Sequence, residues 1–258
     1  MITQEENNLF TQTGKGTPCG ELMRRYWQPA ALSEELTVDK PLPVQLFGEE
    51  LILFRDGAGK PALIGRYCAH QGVDMIYGRV EDDGLRCMYH GWLFDNCGKV
   101  VLRGDWLPEK ERRWDVGQAA YPCVENGGII FTYMAPGDPP PSEHELLTTP
   151  KAHGGLTKVV REENYLQRIV EAHEQTVNRA RYVLPNLVIG QNAAAGDENW
   201  ARWHVPVDDI SHIEFELQLN NMGPNRGEPL DVWQQTLLKA IEKIQNERQS
   251  PPVPATKN

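Results

Sequence analysis

Two short segments of the sequence place cysteine and histidine close together, and both residue types bind metal ions. The first segment has the pattern Cys-x-His at Cys68 and His70, and the second has Cys-x-x-His at Cys87 and His90, with sixteen residues between them. Each segment therefore offers one thiolate and one imidazole. This pattern predicts a metal centre held between two loops.

The mixture of ligand types within each segment indicates which metal centre this is. Zinc fingers usually keep a pair of cysteines apart from a pair of histidines. Mixed pairs suit a [2Fe-2S] cluster in which Cys68 and Cys87 bind one iron and His70 and His90 bind the other. A structural zinc site is the alternative that the residues leave open.

The residues beside the predicted ligands support the same centre. Gly72 and Gly91 let backbone amides approach the sulfur atoms, and such hydrogen bonds help to set a reduction potential. We expect Trp92 to pack against the second loop. Cys97, in the turn that follows, is interpreted as a solvated thiol and not as a fifth ligand.

At these residues the chain resembles the Rieske proteins. More closely, it resembles the oxygenase component of Rieske non-haem iron oxygenases of the phthalate dioxygenase group. The likeness is continuous through the N-terminal half and comes in pieces after it. The segments that carry it are residues 16–36, 66–79, 84–100, 161–167 and 205–209.

The resemblance implies a terminal oxygenase. Such an enzyme takes electrons from NAD(P)H through a reductase that carries a flavin and a plant-type [2Fe-2S] cluster. A mononuclear Fe(II) activates O₂ to hydroxylate an aromatic ring or to remove an O- or N-methyl group. The cluster serves the iron of a neighbouring subunit, so the resemblance also implies a homotrimer or a multiple of it.

The ligands of the mononuclear iron are not recognisable in this sequence. In the family, two histidines and one carboxylate hold the iron, and the histidines closely follow a segment that corresponds here to residues 164–167. The nearest histidine downstream is His173, and Val177 and Asn178 stand where a second one would be needed. Residues 168–176 resemble a strand of the family, so we interpret His173 as a strand residue and leave the catalytic residues unknown.

Against the family pattern, segments are missing at three places: after Gln167, around residues 176–178 and around residues 220–222. The first and third would carry iron ligands. We expect the three missing segments to belong to a longer chain. The alternative is that these segments were lost by natural deletion. In that case the protein would be a Rieske ferredoxin-like electron carrier, or a partner subunit that has lost the mononuclear iron site.

Composition limits the partners and the location. The chain has 258 residues, 40% of them hydrophobic, and a formal net charge of −10. Nucleic acids and anionic membranes attract basic surfaces, so neither is expected as a partner. Without a signal peptide or an apolar span, we expect a cytoplasmic protein with Cys19, Cys97 and Cys123 as free thiols.

The predicted fold class is α+β. Residues 1–136 are expected to form an N-terminal helix, capped by Thr17 and ending at Trp27 before Pro29, and an all-β Rieske domain of short hairpins. The proline run at 137–141 marks the boundary. For residues 137–258 the resemblance implies a catalytic-type domain, apparently incomplete, in which an antiparallel sheet grips a C-terminal helix.

The C-terminal region carries two clear patterns. A hairpin turning near Asp208 should bury one face of its second strand and expose Glu214 on the other, with His204 and His212 as structural residues. A helix from about Pro229, with Asp231 as its N-cap, should bury one stripe. That stripe consists of Trp233, Leu237, Ile241 and Ile244.

Overall fold

The computed structural model describes residues 4–102, 116–141, 153–176, 180–191, 199–219 and 228–249. Its α-helices are α1 (Gln4–Thr11), α2 (Pro18–Arg24), α3 (Tyr165–Thr176) and α4 (Leu230–Gln249). No helix in this part of the chain is long and apolar enough to cross a membrane.

The N-terminal half is built from short antiparallel strands in three sheets, whose orders are β1-β11-β10, β2-β3-β4-β9 and β5-β6-β7-β8. The tip of the β2–β3 hairpin lies at residues 47–48, where Gly48 has φ of 75°. The strands are β1 (Gln28–Leu32), β2 (Leu42–Leu46), β3 (Glu49–Arg55), β4 (Pro61–Gly65), β5 (Arg79–Glu81), β6 (Gly84–Arg86), β7 (Leu93–Phe94), β8 (Val100–Leu102), β9 (Ala120–Tyr121), β10 (Cys123–Asn126) and β11 (Ile129–Thr132).

A five-stranded antiparallel sheet of order β12-β16-β15-β14-β13 follows the proline run. The four residues of the predicted stripe on α4 are each at most 2% exposed, and Trp233 lies 5.8 Å from Tyr182 of the sheet, measured between ring centroids. The α+β class is confirmed. The strands are β12 (His153–Arg161), β13 (Arg181–Val183), β14 (Leu187–Gln191), β15 (Asn199–Pro206) and β16 (His212–Leu219).

Two predictions about this region were wrong in detail. Asp231 lies inside the first turn of α4 and is not its N-cap, since the helix already begins at Leu230. Glu214 is 4% exposed and does not face solvent, since Arg168 of α3 and Arg161 pair with its carboxylate. The other strand residues that alternate with it, Glu216 and Gln218, are partly or fully exposed as predicted.

The strand predicted for residues 168–176 is a helix, so the interpretation of His173 as a strand residue was wrong. The described residues of α3 bury Tyr165, Leu166, Ile169 and Ala172, a stripe with helical spacing. A helical stripe of this kind places all its apolar side chains on one face, whereas a strand would separate Leu166 from Ile169.

The N-terminal helix was also predicted too long. Thr17 caps α2 as expected, accepting from the Gly20 amide, but the helix ends at Arg24. Strand β1 begins at Gln28 and includes Pro29, which is tolerated because the register with β11 shifts between Pro29 and Ala31. Proline is found in strands at such irregularities. Helix α1 was not predicted.

The described residues form two hydrophobic cores. The smaller one lies within residues 52–94 and includes Cys68, Cys87 and Trp92. The larger one joins residues from α2 and β1 with residues of the C-terminal sheet and α4. It therefore crosses the proposed boundary at residue 137, and the division into two domains stays a prediction.

Candidate metal centre

The two loops that carry the predicted ligands have the same backbone turn. In each, the cysteine N–H donates to the carbonyl five residues further on, and the amide four residues on donates to the cysteine carbonyl. These bonds are Cys68 to Val73 (2.8 Å), Gly72 to Cys68 (2.8 Å), Cys87 to Trp92 (2.8 Å) and Gly91 to Cys87 (3.1 Å). The first loop follows β4 and the second joins β6 to β7.

Glycine closes both turns for a conformational reason. Gly72 has φ of 72° and Gly91 has φ of 68°, in the left-handed region that side chains with a Cβ rarely adopt. A non-glycine residue at either position would strain the turn that presents the cysteine and histidine.

The two cysteine thiols are brought into contact. Cys68 is 4% exposed and Cys87 is 2% exposed, and the two side chains hydrogen-bond to each other. The bond from Cys68 lowers the pKa of Cys87 to about 6, helped by backbone amides of the second loop, while the same pairing and burial raise the pKa of Cys68. Thiolate is the form that binds iron.

Backbone amides are directed at both sulfur atoms, as predicted from the glycines. The amides of His70 and Gln71 bond to the sulfur of Cys68, and those of Tyr89 and His90 bond to the sulfur of Cys87. Amide donors of this kind stabilise negative charge on sulfur and so help to tune a bound metal.

The two imidazoles meet on the other side of the centre. The ring centroids of His70 and His90 lie 4.6 Å apart at an interplanar angle of 70°, and both residues are half-buried. Trp92, which is fully buried, stacks on His70 with a centroid distance of 4.4 Å and an angle of 11°. Trp92 was predicted to pack against the second loop, and the stacking contact described is with the histidine of the first loop.

An ion pair between an arginine and a carboxylate stabilises each loop. Across the first loop, Arg66 bonds to Asp74 with a shortest N–O distance of 2.7 Å, and this lowers the pKa of Asp74. Beside the second, Arg86 bonds to Glu81 and also donates to the carbonyl of Gly91 at 2.7 Å. Sequence reasoning missed these pairs, because their partners are set by strand pairing and not by a motif.

Large side chains are exposed in and near the two ligand loops. Tyr67, Tyr77, Met88 and Tyr89 are between 44% and 70% exposed, and all lie within or beside the two loops. Cys97 is exposed in its turn, as predicted, and no disulfide joins it to Cys19 or Cys123.

The donor set fits a binuclear cluster better than a single ion. A tetrahedral zinc ion needs four donor atoms within about 4 Å of one another. Among the residues that the structure describes, the one group of three potential ligands that close together lies elsewhere, so no three of the loop ligands converge. A cluster needs only its two cysteines together and its two histidines together, which is the arrangement present.

The group that does converge is formed by His204, His212 and Glu214, all buried. His204 Nδ1 lies 3.3 Å from His212 Nε2, and Glu214 bonds to Arg161 at 2.9 Å, with Arg168 at 3.4 Å. Two guanidinium groups beside the carboxylate oppose a divalent cation. Because of these two arginines we assign no mononuclear iron to this group of described residues, and the structural role of His204 and His212 stays a prediction.

Comparisons with known proteins agree with this geometry. Residues 26–108 match the model of the Rieske [2Fe-2S] domain. The chain is 48% identical over 133 residues to the phenoxybenzoate dioxygenase subunit alpha of Ectopseudomonas oleovorans, covering 51% of this chain and 32% of that protein. It is 36% identical over 210 residues to the phthalate 4,5-dioxygenase oxygenase subunit of Pseudomonas putida, covering 78% and 47%.

The fold also matches a solved structure over nearly its whole length. A reduced complex between oxygenase and ferredoxin in carbazole 1,9a-dioxygenase aligns with a TM-score of 0.61 at 14% identity, covering 96% of this chain and 83% of that one. The chain spans less than half the length of the two curated relatives above. Residues 26–108 are therefore similar to the Rieske [2Fe-2S] domain, and part of the chain is similar to the oxygenase subunits of Rieske-type dioxygenases.

Proposed function

We propose that this sequence is the terminal oxygenase component of a Rieske-type system that hydroxylates an aromatic ring or removes an O- or N-methyl group. The observation that carries the proposal is the pair of matching loops. They set two thiols in contact and two imidazoles 4.6 Å apart, inside a region that matches the Rieske domain.

We assign Cys68 and Cys87 to one iron of a [2Fe-2S] cluster and His70 and His90 to the other. Such a cluster, when bound, takes up and releases one electron at a time. The buried cysteines and the stacked Trp92 keep water from the sulfur side. The half-buried histidines lie near the surface, where an electron can enter or leave.

The partners proposed are a flavin and [2Fe-2S] reductase supplied by NAD(P)H and further copies of this chain, with a homotrimer or a multiple of it as the assembly. The solved oxygenase and ferredoxin complex gives a precedent for docking an electron donor on this fold. A cytoplasmic location also stays a proposal.

The substrate class proposed is a carboxylated or ether-bearing aromatic ring. Its support is the names of the relatives, which refer to phthalate and phenoxybenzoate. In the family, O₂ is activated at a mononuclear Fe(II). The described residues offer no site that fits it, so we assign no ligand and expect the ligands on segments of a longer chain.

A second candidate function follows from the two arginines, Arg161 and Arg168, that pair with Glu214 beside His204 and His212. If the chain has no other iron site, it is a Rieske ferredoxin-like electron carrier or a partner subunit of an active oxygenase. Such a protein would show the redox signal of the cluster and consume no O₂ by itself.

Oxygen uptake separates the two functions. The purified protein is mixed with reductase, NAD(P)H, Fe(II) and a panel of aromatic acids, and hydroxylated or demethylated product is measured beside O₂ consumption. Product formation by this chain alone supports the oxygenase and removes the second function. A cluster that is reduced and reoxidised without product, alone or with added Fe(II), favours the electron carrier.

A further inference from the structure

The side chain of Gln118 hydrogen-bonds to the backbone of the first ligand loop on both sides of Cys68. Its Nε2 donates to the carbonyls of Gly65 (2.5 Å) and Tyr67 (2.6 Å), and its Oε1 accepts from the amide of Ala69 at 2.9 Å. One carboxamide therefore satisfies three backbone groups that no regular strand pairing reaches.

The backbone of Gln118 is tied to the hairpin that follows the second loop. Its N–H donates to the carbonyl of Gly98 at 2.7 Å, in the turn between β7 and β8. Gly98 has φ of 73°, and a Cβ there would lie 2.2 Å from the Gln118 carbonyl oxygen. Gln118 thus links the strand that precedes the first loop to the hairpin that begins at the second.

Gly65 leaves the space that the carboxamide occupies. A Cβ at this position would lie 2.8 Å from Gln118 Nε2, and the backbone of Gly65 is not in the left-handed region. Glycine is needed here for room and not for conformation. The contact therefore depends on both residues, because Gln118 supplies the carboxamide and Gly65 leaves room for it.

The contact between Gln118 and the first loop affects the hydrogen bonds to the sulfur of Cys68. The amides of His70 and Gln71 bond to that sulfur. The preceding amide, from Ala69, points instead to Gln118. Without this acceptor the Ala69 amide would lose its partner, and the peptide planes that follow could rotate away from the sulfur.

We propose that Gln118 is a positioning residue for the predicted cluster, holding the first loop so that the amides of His70 and Gln71 point at the Cys68 sulfur and raise the reduction potential. The inference depends on the proposed ligation by Cys68 and His70. Amide donors favour the more negative, reduced cluster, so loosening them lowers the potential.

The test compares Gln118→Leu and Gly65→Ala in the protein as isolated. The first removes the carboxamide, and the second displaces it while leaving Gln118 in place. Both should lower the reduction potential and shift the EPR g-values. The double variant should shift them no further than the larger single change, because both changes break one contact. Gln235→Leu, on the exposed face of α4, is the matched control and should leave both measurements unchanged.

A Gln118→Leu protein with the wild-type potential and g-values would overturn the proposal, even if its melting temperature fell, because a purely structural role moves stability alone. Hydrogen exchange at the Ala69 amide tests the contact whether or not a cluster is bound. We expect at least a tenfold loss of protection in Gln118→Leu, and equal protection would also contradict the proposal. A wild-type protein without any Rieske signal would instead refute the cluster ligation, and the exchange measurement would still decide the role of Gln118.

Discussion

The two ligand loops use one backbone turn to present histidine from two different positions. Glycine stands four residues after cysteine in both loops, but the histidine stands two residues after Cys68 and three after Cys87. The imidazoles therefore leave equivalent turns at different points and still approach to 4.6 Å. This offset lets two similar loops supply a paired set of sulfurs and a paired set of nitrogens.

Replacing His70 by Cys tests the ligand assignment. A third thiolate donates more negative charge to the cluster than imidazole does, so the reduction potential should fall and the visible and EPR spectra should change. Potentiometric titration followed by EPR measures both. Cys97→Ser, at an exposed thiol outside the loops, is the control and should behave as wild type. An unaltered spectrum in His70→Cys would remove His70 from the ligand set.

The buried His204 predicts how stability depends on pH. Burial, and next the neighbouring His212, lower the pKa of His204 to about 3 from the ordinary 6.5. Below pH 6.5 the unfolded chain binds a proton that the folded chain does not. The contribution of neutral His204 to the free energy of unfolding is therefore fully present above pH 6.5. It decreases by about 1.4 kcal/mol per pH unit as the pH falls towards 3.

Urea unfolding of His204→Gln between pH 4 and pH 7 checks this expectation. The variant should be less stable than wild type at pH 7, because a buried contact is altered, but its stability should fall less steeply with acid. The difference between the two proteins should therefore narrow towards pH 4. A constant difference across the range would show that His204 does not titrate as described.

At the scale of elements, α3 shows why a local pattern misled the sequence prediction. Residues 168–176 were matched to a strand of related proteins, yet Ile169 and Ala172 are three residues apart and both buried, as a helix requires. The N-terminal end of the helix is also fixed from afar. Asn164 donates to the carbonyls of Thr11 and Asp209, contacts that no local pattern reveals.

The apolar stripe of α4 predicts a large effect of a single truncation. Leu237 is 0% exposed, so Leu237→Ala should lower the free energy of unfolding by about 3 kcal/mol through lost burial and the cavity left behind. Gln235→Ala, on the exposed side of the same helix, should change it by less than about 0.5 kcal/mol. Urea titration followed by tryptophan fluorescence measures both, and equal effects would refute the assigned orientation of α4.

Arg24 stabilises the contact between the β2–β3 hairpin and the C-terminal sheet. Its guanidinium bonds to Glu49 at 3.0 Å and to the carbonyl of Phe47 at 3.2 Å, and it is 4% exposed. Phe47 has φ of 52°, and its N–H donates to the carbonyl of Pro206 in the C-terminal sheet at 2.9 Å. Arg24 therefore secures a strained hairpin tip where that tip meets the second sheet.

Arg24→Met should destabilise the protein by about 3 kcal/mol, because it leaves the largely buried Glu49 carboxylate without its cation. Adding Glu49→Gln should recover part of this loss. The double-mutant cycle is measured by urea unfolding. If the two single effects simply add, the ion pair does not contribute as described.

At the scale of the whole molecule, metal content distinguishes the proposed roles. The loop ligands account for two irons and two acid-labile sulfides, and we expect no third iron at the described group of His204, His212 and Glu214, because two arginines pair with its carboxylate. Iron and sulfide analysis with intact-mass measurement checks this. A third iron in a protein heavier than 29.2 kDa would indicate further segments that carry the ligands. A third iron at 29.2 kDa would contradict the expected content.

Much of the metal centre was predictable from the sequence, because ligand types, spacing and closing glycines are local properties. The hairpins of the N-terminal half and the stripe of α4 were predictable for the same reason, since turn residues and hydrophobic periodicity act over a few neighbours. These signals placed Cys68, His70, Cys87 and His90 in two loops before any contact between them was known.

Only the tertiary structure decided the features that join distant residues. These features are the bonds from Gln118 to a loop about fifty positions earlier in the chain, the pairing of Arg24 with Glu49, and the pairing of buried Glu214 with Arg168 of α3. Sequence patterns report which side chains are apolar and where the chain turns. Which polar groups become partners depends on how sheets and helices pack, because a buried polar atom takes the partner that packing brings within reach.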